Sequence, residues 1–276
     1  MSTKPQETNS LLKSGNNSIS VVVCYLIYTF SISWFCWLSI IIANNYFKTL
    51  YYGEPVFWIL YSIGSLGPAI SAFIIYRKFK IEFQSKSFIR FIFGHSMNRK
   101  IGVIFLAFLV WRLWMIWISV GIDKPFSILA IIINLPFLIA LGGLEELGWR
   151  GILQPKLEGL ISYFPSLLLV SIIWSSWHIP LWFMKGSVQS GFPFWLFFIA
   201  GFILTASFTA LYKYTHNLFL CVVNHAWFNG CIGLALFTGN NGVIHINLNG
   251  KLVALFIVEF IISIILVLCQ DKKLTS

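Results

Sequence analysis

Apolar positions along this chain fall into long unbroken runs rather than the stripes of a soluble amphipathic helix or strand. The first run, 19–43, is longer than a signal core and lacks a small-x-small cleavage site. A helix crosses a bilayer with about 20 apolar residues. On that rule the runs predict eight spans, at about 19–43, 55–76, 101–121, 126–156, 164–184, 191–212, 217–238 and 250–269. The linkers between them are mostly short, which suits neighbouring helices in a bundle. Residues 1–18 are polar and unpatterned and read as a disordered tail. The expectation is an all-α, polytopic membrane bundle of about eight helices, with 19–270 as a single membrane domain.

Composition agrees. Of the 276 residues, 58% are hydrophobic and 10% charged, where a soluble domain carries roughly 25% charged. The net charge of +10 would otherwise suggest nucleic acid. With so few charges it reads instead as membrane orientation and attraction to anionic lipid headgroups. Membrane lipids are therefore expected partners, and nucleic acid is not.

Given eight spans, thirteen Lys and Arg fall on one side: Lys4, Lys13, Arg77, Lys78, Lys80, Lys86, Arg90, Arg99, Lys100, Lys156, Lys213, Lys272 and Lys273. Four fall on the other: Lys48, Lys124, Lys185 and Lys251. The positive-inside rule then places both termini in the cytoplasm of a multi-pass cell-membrane protein. The 77–100 segment interleaves its bases with Phe79, Ile81, Phe83, Phe88, Ile89, Phe91 and Ile92. It reads either as an interfacial segment or as a simple linker. Cys24, Cys36, Cys221, Cys231 and Cys269 are scattered through apolar sequence without a CxxC pair, and read as inert thiols.

Charges inside spans are the informative residues, because each costs at least about 2.5–3.5 kcal/mol there. They are Arg112, Glu145, Glu146, Arg150 and Glu259. Arg112, among Trp111, Trp114 and Trp117, reads as a cation–π contact or a pair with Glu259. Glu146 and Arg150 stand four apart, the spacing of a helical ion pair. Glu145 points elsewhere and has no local cation. Two histidines, His178 in WSSWH and His225 in HAWFN, also lie within spans. His225 and Asn229 share a helical face, as do Trp174 and His178.

If the fourth helix runs to Lys156, then Glu145, His178 and His225 lie roughly 16, 20 and 12 Å deep at 1.5 Å per residue. They could then meet in one cavity. If that helix stops near Gly143, Glu145 sits at the interface and the match is lost. Such a pocket has a chemical use. A carboxylate and an imidazole can activate one water, while a second imidazole and a carboxamide donate to a developing oxyanion. That is amide hydrolysis without a covalent nucleophile. Taken singly, each of these residues could equally be a satisfied interhelical contact.

At these residues the chain resembles the CPBP intramembrane proteases, which include CAAX-processing endopeptidases and Abi-type proteins. The family pattern E-E-x-x-x-R, F-x-x-x-H, H-x-x-x-N is met by Glu145, Glu146 and Arg150, by Trp174 and His178, and by His225 and Asn229, over roughly 140–230. Trp174 departs from the pattern's Phe but keeps an aromatic. The resemblance implies an endopeptidase acting on membrane-associated or lipidated proteins or peptides. In it Glu145 and His178 activate water, and His225 and Asn229 form the oxyanion hole. Glu146 and Arg150 are supporting residues.

A metal-free, glutamate-type mechanism is the expectation. Glu145, His178 and His225 form the alternative zinc set, but no H-E-x-x-H helix is present. The rival functions are bacteriocin self-immunity or peptide processing, proteolytic or not, and a transporter or scaffold. No internal repeat supports the transporter.

Overall fold

The computed structural model describes residues 4–79, 87–94, 97–120, 126–238, 244–246 and 249–275. Helix α1 (Lys4–Ile42) ends in a π turn, Ala43–Phe47, closed by Lys48 in the left-handed region at φ 54°. It begins upstream of residue 19, within the stretch that composition reads as a tail. Helices α2 (Pro55–Ser65) and α3 (Gly67–Lys78) each open on a first-turn proline, which lacks the N–H that position leaves unused. They form an apolar pair bent by 46°, the geometry of a broken span or a re-entrant loop. Short α4 (Phe88–Phe93) follows, then α5 (Arg99–Val120) and α6 (Phe126–Leu141).

The chain continues through α7 (Glu146–Gly148) and α8 (Gln154–Glu158) into α9 (Tyr163–Trp177) and α10 (Phe194–Thr215). His216 closes α10 at φ 47°. Asn217 then starts α11 (Leu218–Gly233), its side chain accepting from the Leu220 N–H. A short antiparallel pair, β1 (Leu236–Thr238) and β2 (Ile244–Ile246), precedes α12 (Gly250–Thr275).

This is a polytopic all-α membrane bundle, as expected, and the chain is a multi-pass membrane protein. Val103, Leu106, Val110 and Trp117 of α5 and Ile257, Ile261 and Ile265 of α12 are exposed. Such faces suit lipid rather than water. By length and composition alone the described helices fall short of eight full spans. Among the described residues six helices are long and apolar enough to cross, or seven with the bent pair as one span. The 217–238 run folds only to Gly233 before turning into β1. At about 1.5 Å per residue that 16-residue helix falls short of a roughly 30 Å hydrocarbon core.

Within 77–100, Lys80, Ile81, Glu82, Phe83 and Lys86 lie outside the described residues. Lys124 and His95 do so too. The described α4 packs on the bundle: Phe88 meets Phe73 at 5.1 Å, and Phe93 meets Phe219 at 4.9 Å.

The site is framed by three packed groups of elements. α11 lies on α5 and α6, α10 lies between α9 and α12, and α3 packs on α7 while α1 packs on α3 and α8.

Candidate active site

The fourth apolar run is one continuous stretch in hydropathy but not in backbone. Gly142 leaves the helix at φ −153°, ψ −52°. A 3-10 turn over Gly143–Glu145, the short α7 and a π turn at Trp149–Leu153 follow before α8. The two glycines let α11 approach the break. A Cβ on Gly142 would collide with Asn229 Nδ2, and one on Gly143 would stand 2.5 Å from the Val222 carbonyl oxygen. Despite the break, Glu145 is only 5% exposed and Glu146 fully buried.

Glu145 Oε2 accepts two indole N–H groups, from Trp149 at 3.2 Å and from Trp174 at 3.0 Å. It thus has neutral donors where the sequence showed no local cation. His178 caps the C-terminus of α9, with a 3-10 turn, Ile179–Phe183, beyond it. The 164–184 run is therefore an α-helix only as far as Trp177. His178 Nδ1 lies 2.8 Å from the Trp174 carbonyl oxygen. A carbonyl only accepts, so Nδ1 carries the proton and Nε2 keeps a lone pair in the neutral ring. The imidazole meets the rings of Trp174 and Trp177, each at a centroid distance of 4.5 Å.

The second histidine is held differently. His225 Nδ1 is 2.7 Å from Glu146 Oε1, and its ring stacks on Phe208 at 5.0 Å and 22°. Glu146 Oε2 also faces Arg150 Nε at 3.2 Å. That contact is an ion pair by distance and not an aligned hydrogen bond. The expected Glu146–Arg150 pair is present, and Glu146 has a second partner that spacing did not reveal. Asn229, one turn beyond His225, sets its amide beside Gly142. The arrangement thus gathers Glu145, Trp174 and His178 on one side, and Glu146, Arg150, His225 and Asn229 on the other.

Trp149 and Trp177 are site residues that sequence reasoning missed. Trp149 had a signal: it lies four residues from Glu145. Trp177 had none beyond its neighbour His178. For the zinc alternative, no three His, Cys, Asp or Glu side chains among the described residues are grouped to hold a metal ion. Protein partners occupy Glu145 Oε2 and the Nδ1 atom of each histidine, which leaves Glu145 Oε1 and the two Nε2 atoms as the positions open to a water or a metal.

Arg112 belongs to a separate buried centre. It pairs with Glu259 at 2.6 Å and donates to Ser207 Oγ at 3.0 Å, while Trp111 Nε1 donates to Glu259 at 3.2 Å. Its cation–π partners are Phe208 and Phe228, at 5.5 and 4.8 Å. Both sequence readings are met, the cation–π contacts being with phenylalanines of α10 and α11 rather than with the neighbouring tryptophans.

Fold and site together define a polytopic helical membrane protein with a buried carboxylate–imidazole centre on a broken helix. A family model described as type II CAAX prenyl endopeptidase Rce1-like matches residues 124–231, which contain every residue of the three motifs. A CAAX prenyl protease 2 from Methanococcus maripaludis is 29% identical over 177 residues, covering 60% of this chain and 64% of that relative. The match thus spans a little under two thirds of the relative's length. Both similarities are to CAAX prenyl proteases, the group that the three motifs resemble.

Proposed function

We propose that this chain is an intramembrane endopeptidase that hydrolyses a peptide bond in membrane-associated or lipidated proteins or peptides. Prenylated proteins ending in a CAAX sequence are the first substrate class to try, because a CAAX prenyl protease is among its relatives. The observation that carries the reading is the joint seating of Glu145 and His178 by Trp174. Both indole donors go to Glu145 Oε2, so Oε1 and His178 Nε2 are left to hold a water.

In the proposed reaction that water gives a proton to Glu145 and attacks the scissile carbonyl carbon. The developing oxyanion accepts from His225 Nε2–H and the Asn229 amide. With Nδ1 already facing Glu146, donation from Nε2 uses the imidazolium, and Glu146 is its counter-charge. The tetrahedral intermediate collapses as Glu145 passes the proton to the leaving amine and the C–N bond breaks. Arg150 balances Glu146. No metal enters these steps. With α11 and the bent α2–α3 pair each counted as a crossing, the thirteen-to-four distribution of Lys and Arg supports a cell-membrane orientation with both termini cytoplasmic.

The test uses purified protein in lipid nanodiscs with a farnesylated peptide ending in CAAX. The native protein releases the C-terminal fragment. Glu145→Gln, equally folded by thermal unfolding, turns over about 10²–10⁴-fold more slowly, the range of general acid–base catalysis. Native-like turnover by Glu145→Gln contradicts the role of Glu145. An intact peptide with both forms favours immunity or binding without cleavage.

A further inference from the structure

Two tryptophans aim at one oxygen of one carboxylate, and packing accounts for their rings but not for their N–H groups. Trp149 is fully buried, edge-on to Tyr25 at 5.6 Å and to Trp177 at 5.7 Å. It starts the π turn, and such single turns re-aim side chains at functional sites. Trp174 stacks on Phe197 at 5.1 Å and 6°. Gly201 of α10 leaves room for that ring, since a Cβ there would stand 2.8 Å from Trp174 Cζ3. Both indoles are thus fixed by three-dimensional packing before they meet Glu145.

The geometry points to Trp149 and Trp174 as a paired indole clamp that positions Glu145, with Trp174 also setting His178 through its backbone carbonyl. The functional part of this inference rests on the proposed hydrolase reading. An indole N–H is a donor only, so it orients a carboxylate without competing for the proton. It also adds no charge to a buried site. With Oε2 held by both donors, the carboxylate plane is set and Oε1 becomes the working oxygen. The same residue 174 fixes the imidazole of His178, which makes the carboxylate–imidazole geometry the property of one side chain and its own main chain. Trp149 and Trp174 are positioning residues. They touch Glu145, not the reacting atoms.

The experiment separates the N–H from the ring. Benzothienylalanine, which keeps the bicyclic shape and has sulfur in place of N–H, replaces Trp149, Trp174 or both. Against the farnesylated CAAX peptide, each replacement lowers kcat about 10-fold or more, the size of one lost hydrogen bond to a charged group. KM stays unchanged. Native-like kcat in the doubly replaced protein overturns the clamp.

A second readout needs no activity. In protein labelled with ¹⁵N at indole, the Nε1–H resonances of Trp149 and Trp174, assigned by Trp149→Phe and Trp174→Phe, shift when Glu145 is changed to Ala. Resonances unmoved by Glu145→Ala overturn the clamp. If native protein cleaves nothing, the hydrolase reading falls, and the resonances still decide whether the clamp exists.

Discussion

Glu146 has no water to fall back on. Its carboxylate faces Arg150 on one oxygen and His225 on the other, and it is fully buried. Removing one partner of a buried ion pair costs about 3–5 kcal/mol, because the other charge stays desolvated. Glu146→Gln is therefore expected to lower the midpoint of thermal unfolding by far more than Glu145→Gln, whose partners are neutral indoles. It should also lower turnover by releasing His225. Equal midpoints for the two variants would contradict this division of labour. Residue spacing made part of the arrangement legible. Glu146 and Arg150 lie four apart in sequence, and the pair forms as that spacing predicts although Arg150 sits in the π turn. The Glu146–His225 contact joins residues 79 apart in sequence, and Trp174 reaches Glu145 across 29. No periodicity encodes those partners. They depend on how α11 and α9 pack on the break.

The break itself is the informative element. Hydropathy reads 126–156 as one span because Gly142, Gly143 and Leu144 are all compatible with an apolar run. The backbone instead passes from α6 through a 3-10 turn and a π turn, and this re-registers Glu145, Glu146 and Arg150 relative to α6. Gly143 lets α11 dock there, with the Val222 carbonyl in the place of its missing side chain. Gly143→Val is expected to overpack this contact by about 1–3 kcal/mol. The variant should show a lower unfolding midpoint and reduced cleavage, since α11 carries both His225 and Asn229. A Gly143→Val protein with native midpoint and activity would show that the close approach is dispensable. The ends of α9 and α11 were also hidden from hydropathy. His178 and Leu234 are followed by apolar residues that hydropathy reads as a continuing span, so Pro180 and Gly233 are the only sequence signals of the stops that the 3-10 turn and β1 then show.

Across the whole molecule, two buried polar centres hold the bundle at different places. The candidate active site joins the broken helix to α9 and α11. The Arg112–Glu259 centre joins α5, α10 and α12 through Ser207 and Trp111. Phe208 lies between the two, facing Arg112, Arg150 and His225. Glu259→Ala should destabilise the bundle by about 3–5 kcal/mol, and Arg112→Met with Glu259→Leu should recover most of that loss. Thermal unfolding of the two proteins checks both statements. A double variant no more stable than Glu259→Ala would mean that the pair contributes more than mutual neutralisation. The all-α membrane class was legible from run length and composition alone. The number of crossings was not, because a short α11 and a bent α2–α3 pair carry the same apolar composition as full spans.

The most direct measurement of the central claim compares cell membranes holding the native protein with membranes holding Glu145→Gln, by mapping all peptide termini with mass spectrometry. The account predicts new termini in membrane-associated or lipidated proteins that appear only with the native chain. The same new termini in membranes carrying well-folded Glu145→Gln would contradict a hydrolysis carried by Glu145.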